Sequence, residues 1–453
     1  MPQRLALSLA GLLAAGAPLH AGPGSPERPW AEILGPARGS WPPAAEEVRW
    51  REDLLDALDE AADSGRPLFV TLRCLPCKQC ADFDRAVLEG GPELDPLLRR
   101  FVTVRLTDAA AADLRLLPMA THQDLDLSWW GYLFSDEGEL YGVFGGRDAV
   151  SEETRISPAA LARTLARVLD HHYDPRRKQW DVDGPPPDLS APERTARDLP
   201  GYAAWSRERG GEGCLHCHQV QEVLRQPAID TGTFDKTRDV YVWPLPENLG
   251  LVLDRDDGLR VTAVAAGSPA AKAGLRAGDS LGAADGVLLF GQADLRGVLH
   301  RGPAGAGAID LVWTRDGALG RGRLELADGW RKTDLGWRMS LAQGNVGGRP
   351  GFAWANAVSP ADRRRLGIPP GAMALRPWFG REPHDWPARA AGLRDDDVIV
   401  AVDGQSPDVA GRPFMLWFRL RHDPGDRVTL TVLDPRGRQR ELAYSVPGPA
   451  KDS

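Results

Sequence analysis

Between residues 50 and 175 the apolar positions switch between helical and strand spacing. Leu54, Leu55, Leu58 and Ala61 recur three and four apart and are followed by Gly65, which predicts an amphipathic helix closed by a glycine. The run Pro67-Leu-Phe-Val-Thr-Leu72 then reads as a short buried strand, and a helix is predicted to about Leu88. A second strand over 101–106, a hairpin over 132–144 turning at Ser135-Asp136-Glu137-Gly138, and a helix over 158–169 complete an α/β pattern. Beyond residue 246 the pattern becomes mostly β, with strands over 261–264, 309–313, 398–402 and 428–432. An internal repeat runs through this half. Ala273-Gly-Leu-Arg-Ala-Gly-Asp and its closing Asp285-Gly286 return in register as Ala391-Gly-Leu-Arg-Asp-Asp-Asp and Asp403-Gly404. Residues 22–45, 176–195 and 329–364 are read as linkers.

At 453 residues the chain exceeds a single core and divides into several domains. Its 42% hydrophobic content supports those cores, and a net charge of -8 without a concentrated basic run argues against nucleic acid as a partner. Arg4, the apolar run 5–19 and the small residues Ala21-Gly22 read as an export signal over 1–21. No later stretch is apolar enough for a membrane helix, so the expected mature protein is soluble and extracytoplasmic, in a Gram-negative periplasm.

The five cysteines form two clusters, Cys74/Cys77/Cys80 and Cys214/Cys217. Cys214-Leu-His-Cys217-His218 has the spacing by which two thiols bond one edge of a haem c and the next imidazole becomes an axial ligand. Cys214 and Cys217 are the expected anchors and His218 the iron ligand, with 196–245 as a short helical haem-binding segment. A structural disulfide or part of a zinc site is the alternative, although no further cysteine lies downstream. No methionine falls between His218 and Met339, which leaves the distal ligand open: it comes from elsewhere, such as His171, His172 or His300, none of them assigned, or is missing. In the first cluster, CxxC at the start of a helix sets Cys74 where backbone N–H groups and Arg73 favour a thiolate, with Cys77 placed to resolve a mixed disulfide. Cys80 extends this to CxxCxxC, whose alternative is a soft-metal site or a buried free thiol.

Strand, CxxC, helix, strand, hairpin, helix resembles the thioredoxin superfamily over 46–175. The resemblance implies a thiol-disulfide oxidoreductase with Cys74 and Cys77 as catalytic residues. It also implies a cis-proline before the hairpin, where Trp129 and Trp130 stand instead. The repeat, with Gly267-Ser-Pro-Ala-Ala271 upstream of its first copy, resembles bacterial periplasmic PDZ domains at 246–328 and, in a degenerate copy, 365–448. That implies capture of a protein C-terminus or extended peptide by strand addition, with Leu249, Gly250 and Leu251 of the first copy at the carboxylate loop. Leu366-Gly367-Ile368 is the nearest match in the second. No serine-protease set accompanies the repeats. The expected architecture is multidomain α/β plus mostly-β. The expected function is an extracytoplasmic redox protein whose PDZ repeats recruit a partner, with a non-catalytic PDZ adaptor or metal-binding chaperone as the alternative.

Overall fold

A computed structural model describes residues 28–73, 81–147, 154–208, 215–381 and 385–447. The Pro/Gly-rich stretch expected to be linker is partly folded, with α1 (Trp30–Ile33) placing the Trp30 indole in a core. After β1 (Trp50–Arg51) comes α2 (Leu54–Ser64). The Asp53 carboxylate caps α2 by accepting from the Leu55 and Asp56 N–H groups, and Gly65 ends it at φ 63°. Its fully buried residues are Ala57 and Ala61, while Leu55 faces solvent. Next are β2 (Leu68–Arg73), α3 (Ala81–Glu89), α4 (Asp95–Leu98), β3 (Val102–Leu106), α5 (Met119–His122), β4 (Trp129–Phe134), β5 (Leu140–Gly146), α6 (Pro158–His172) and α7 (Arg177–Trp180). The sheet order is β1-β3-β2-β4-β5; β1, β3 and β2 run parallel, and β4 and β5 are antiparallel. Every residue of β2 and β4 is buried, as a strand covered on both faces requires.

The next segment folds as α8 (Tyr202–Glu208) and α9 (Cys217–Asp230). The first β-rich module follows: β6 (Leu251–Leu253), β7 (Val261–Val264), α10 (Pro269–Lys272), β8 (Ser280–Ala284), β9 (Val287–Leu288), α11 (Gln292–Arg301), β10 (Gly307–Arg315) and β11 (Ala318–Leu326). Strands β6 and β7 pair alone, and β11-β10-β8-β9 form a second sheet. The second module begins earlier than the sequence reading placed it. After α12 (Met339–Ala342), β12 (Trp354–Ala357) lies inside the expected linker 329–364 yet pairs along its length with β13 (Leu375–Trp378). Its remaining elements are α13 (Pro360–Arg365), α14 (Pro387–Ala390), β14 (Val398–Val402), α15 (Gly411–Arg421), β15 (Arg427–Leu433) and β16 (Gln439–Ser445), in the sheet order β12-β13-β14-β15-β16.

The repeat is physical as well as textual. Asp285-Gly286 and Asp403-Gly404 both adopt two successive positive φ angles, 43° and 78° against 48° and 74°, which Asp-Gly tolerates and most pairs do not. Asp279 and Asp397 are both fully buried; each accepts a backbone N–H three residues upstream and a guanidinium, Arg315 or Arg440.

The chain divides into two compact units. One holds Met1–Thr107, Asp113–Glu193 and Trp243–Lys332; the other holds Asp108–Ala112, Arg194–Val242 and Thr333–Ser453. Within the first unit the α/β sheet and the first β-rich module share a core. A single apolar cluster takes Phe69, Trp129, Phe144, Leu161 and Leu165 together with Leu288, Phe290 and Val312. Burying side chains of this size contributes about 1.5–3 kcal/mol each, which favours the packed arrangement over a tethered one. In the second unit α9 packs with α8 and α12, and the second module supplies the main core.

Candidate functional site

Cys74, Cys77 and Cys80 lie outside the described residues; β2, which precedes them in the chain, is described. Arg73, the last residue of β2, pairs with Trp129, and Trp129 pairs in turn with Gly146, so the three form one row across the sheet. Trp129 thus stands opposite the residue that enters the CxxC, where the resemblance implied a proline. Beneath this row sits Asp84 on α3, 4% exposed. Its Oδ2 accepts from Arg73 Nη1 at 3.0 Å and Arg105 Nη2 at 2.9 Å, and its Oδ1 accepts from Trp129 Nε1 at 3.1 Å. Two guanidinium groups, Arg73 and Arg105, thus share the one buried carboxylate of Asp84. Asp84 was not foreseen from the sequence, because an aspartate in a helix of mixed polarity reads as solvated surface.

Cys217 opens α9 and is buried, and His218, the next residue, is half-buried. The His218 ring stacks parallel to His216, with centroids 5.7 Å apart and planes 5° from parallel. The His216 N–H donates to Gln219 Oε1 at 2.8 Å, fixing the helix start. Cys214 lies outside the described residues. The chemistry of this donor set, a thiol and an imidazole adjacent in the chain at the start of a helix, fits the proximal side of a haem c. Among the described residues no group of three or more His, Cys, Asp or Glu side chains is placed to hold a metal ion. The three histidines left open as distal ligands have other roles. His171 Nε2 is 2.6 Å from Asp183, His172 Nδ1 is 2.8 Å from the Tyr141 hydroxyl, and His300 stacks on Trp243 at 4.3 Å.

The three residues expected to meet a peptide lie at the entry to β6, with Leu251 as its first residue. Leu249 and Leu251 are fully buried, and Gly250 between them adopts φ 79°. A side chain at Gly250 would meet Ser268 Cβ at 2.3 Å, so the position requires glycine on two counts. Asn248 Nδ2 donates to the Trp330 and Lys332 carbonyls at 2.9 and 3.1 Å and fixes the loop from below. Strand β6 pairs with β7 only, which leaves its other edge open among the described residues, beside the exposed Val252. In the second module the corresponding loop is Gly351-Phe352-Ala353, directly before β12, with Gly351 at φ 76°. Leu366-Gly367-Ile368 instead follows α13. The inserted helix α13 accounts for the difference, since it displaces that apolar stretch from the start of the module to a point between β12 and β13.

Helix α11 of the first module is buried from Ala293 to Leu299, and polar side chains tie it to the α/β sheet. Asp294 Oδ1 accepts the Val143 N–H of β5 at 2.8 Å, while Oδ2 accepts from Phe290 and Gly291 at 2.9 and 3.0 Å. Complete burial pushes this carboxyl up to about 6, against the pull of those three donors. Arg296 pairs with Asp124, both 1% exposed, and also donates to the Trp243 carbonyl at 3.1 Å. From α6, Thr164 Oγ1 donates to the Phe290 carbonyl at 3.2 Å, and Arg167 bonds the Asp257 carboxylate at 2.6 Å.

Comparison with known proteins supports two of these parts. A thioredoxin-like family model matches residues 49–124, and a PDZ domain model matches residues 260–306. No curated protein matches the chain. Among solved structures, an HtrA-type protease with a tripeptide is 22% identical over 28% of this chain and 40% of its own, with a TM-score of 0.20. The match thus spans about two fifths of that protease's length. A thioredoxin-like domain and a PDZ domain are thus joined in this chain, and within its first unit they share one core.

Proposed function

We propose that this chain is an extracytoplasmic thiol-disulfide and electron-transfer protein whose PDZ domain recruits a polypeptide partner. The observation that carries the reading is the buried Asp84 node, which holds Arg73, the residue before Cys74 in the chain, and Trp129, its partner across the sheet. A buried cation next to Cys74 in sequence supports a reactive thiolate there, with Cys77 resolving. Export to an oxidising compartment of a Gram-negative cell follows from the reading of residues 1–21 and gives such a dithiol a role. A covalent haem c at Cys214, Cys217 and His218 would add one-electron chemistry. Here the chain's own contribution is to present Cys217 and His218 from the first turn of α9 and to hold one face of His218 against His216.

The test is reduction of a small aromatic disulfide by the full chain, with Cys74→Ser as control. Activity that survives in the variant refutes the dithiol assignment. A denaturing haem stain and absorption spectrum after export, with and without Cys217→Ala and His218→Ala, test the haem. A colourless wild-type protein from a host competent in haem attachment removes it. The tryptophan opposite Arg73 favours a second reading, a PDZ adaptor whose CxxCxxC holds a soft metal ion. Cysteine alkylation that is slowed by copper(I) or zinc and restored by a chelator would select that reading.

A further inference from the structure

We infer that a cavity within the first unit is a binding site for a small organic ammonium ion with a compact apolar body, of the arylalkylamine class. The cavity measures about 210 Å³ and shares no lining residue with the loop residues Leu249, Gly250 and Leu251. Three parts of the chain wall it. One face of α6 supplies Arg167, Asp170 and His171, which recur three and four residues apart. The PDZ domain supplies Leu281 of β8 and Leu289 and Phe290 before α11, and the N-terminal segment completes the wall with Ile33 and Leu34. That segment is held at both ends. Arg28 donates to the Gly286 carbonyl and, at 2.7 Å, to the Asp181 carbonyl, while the Arg38 N–H donates to Asp174 Oδ2 at 3.0 Å. Leu34 is seated so closely that a Cβ on Gly282 would meet its Cδ1 at 2.3 Å. The walls are thus fixed before a ligand arrives, at a junction of domains, where small-molecule sites are common.

The polar groups of the wall select the ligand's charge. Arg167 is engaged by the Asp257 carboxylate at 2.6 Å and by the Asp257 and Phe290 carbonyls. Asp174, also in the wall, is engaged by Arg176 and the Arg38 N–H. Asp170, at the exposed edge of the wall, has no cation among the described residues; Trp41 Nε1 donates to its Oδ1 at 3.0 Å. Partial burial raises this carboxyl above its ordinary value, because the anion is stripped of some water without gaining a countercharge. The His171 side chain is 4% exposed, and its Nε2 donates to Asp183 Oδ1 at 2.6 Å. With the proton on Nε2, the Nδ1 lone pair is an acceptor without a hydrogen-bond partner among the described residues. An ammonium group answers both needs, a positive charge for Asp170 and N–H donors for acceptors in the wall. The leucine, isoleucine and phenylalanine side chains take the apolar body. A space of about 150 Å³ admits a benzene ring, so this cavity holds one ring with a short arm. A carboxylate of the same shape would meet the uncompensated Asp170 and be rejected.

The experiment is calorimetric titration of the full chain with 2-phenylethylammonium, and with 3-phenylpropionate as an anion of like shape. The expected result is saturable binding of the amine at one site, with the anion at least tenfold weaker. Asp170→Asn keeps an acceptor for Trp41 and removes the charge, so it should weaken the amine at least tenfold. Ser280→Phe, on a residue of the wall, fills the cavity and should abolish binding, with circular dichroism confirming that the variant is folded. The inference is overturned by amine and anion binding equally, by amine binding that Asp170→Asn leaves unmoved, or by the absence of saturable amine binding in the millimolar range. Amine binding that survives in a folded Ser280→Phe variant places the amine elsewhere and overturns it as well.

Discussion

Replacing Arg296 by methionine isolates the tie between the two domains of the first unit. Both members of the Arg296–Asp124 pair are 1% exposed, so the variant leaves the Asp124 carboxylate buried without that guanidinium. Breaking a buried pair from one side costs about 3–5 kcal/mol, most of it the desolvated charge left behind. Part of the loss also comes from the Trp243 carbonyl, which Arg296 bonds at 3.1 Å. Removing both charges, as Asp124→Leu with Arg296→Met, should restore all but about 1–2 kcal/mol, because two ions then no longer have to be stripped of water. The assay is urea unfolding of the full chain followed by tryptophan fluorescence and circular dichroism. With a slope of about 2–3 kcal/mol per M, the single variant shifts the first unit's transition down by about 1–2 M. The second unit's transition should stay in place and serves as an internal reference. The reasoning fails if Arg296→Met costs under about 1 kcal/mol, or if the double variant is as unstable as the two single losses added together.

Asp294→Asn should change the pH dependence of the first unit. The Asp294 carboxyl titrates at about 6 in the fold against 3.8 as its ordinary value. A raised carboxyl binds its proton more tightly when folded, so its contribution is greatest below pH 4 and is lost as pH rises through 6. Relative to the asparagine variant, the wild-type unit should lose up to about 3 kcal/mol across that window, read from unfolding midpoints at each pH. Asp84→Asn removes the anion that offsets Arg73 and Arg105, so Cys74 alkylation by iodoacetamide should extend to lower pH, alongside a stability loss of about 3 kcal/mol. An unchanged alkylation profile would separate Asp84 from the thiol. Gly250→Ala forces a side chain into Ser268 at a positive φ and should cost about 1–3 kcal/mol and abolish binding of C-terminal peptides, measured by fluorescence anisotropy.

Local chemistry made most of this fold legible and left the junction hidden. The helix at 54–64 could be read because its period and its closing glycine lie within twelve residues of one another, and the structure adds the Asp53 cap. The hairpin and the two Asp-Gly turns could be read for the same reason. Asp294, by contrast, reads in sequence as an ordinary helix cap, three residues after Gly291, and one of its oxygens does serve that purpose. Its other oxygen bonds Val143, 151 residues away, and nothing within the helix marks that use. Arg296 and Asp124, 172 residues apart, look like two solvated charges until the sheet and the module are packed together. The same logic explains the displaced loop of the second module. Leu366-Gly367-Ile368 has the right residue types, but the pairing of β12 with β13 decides which glycine precedes the edge strand, and Gly351 does.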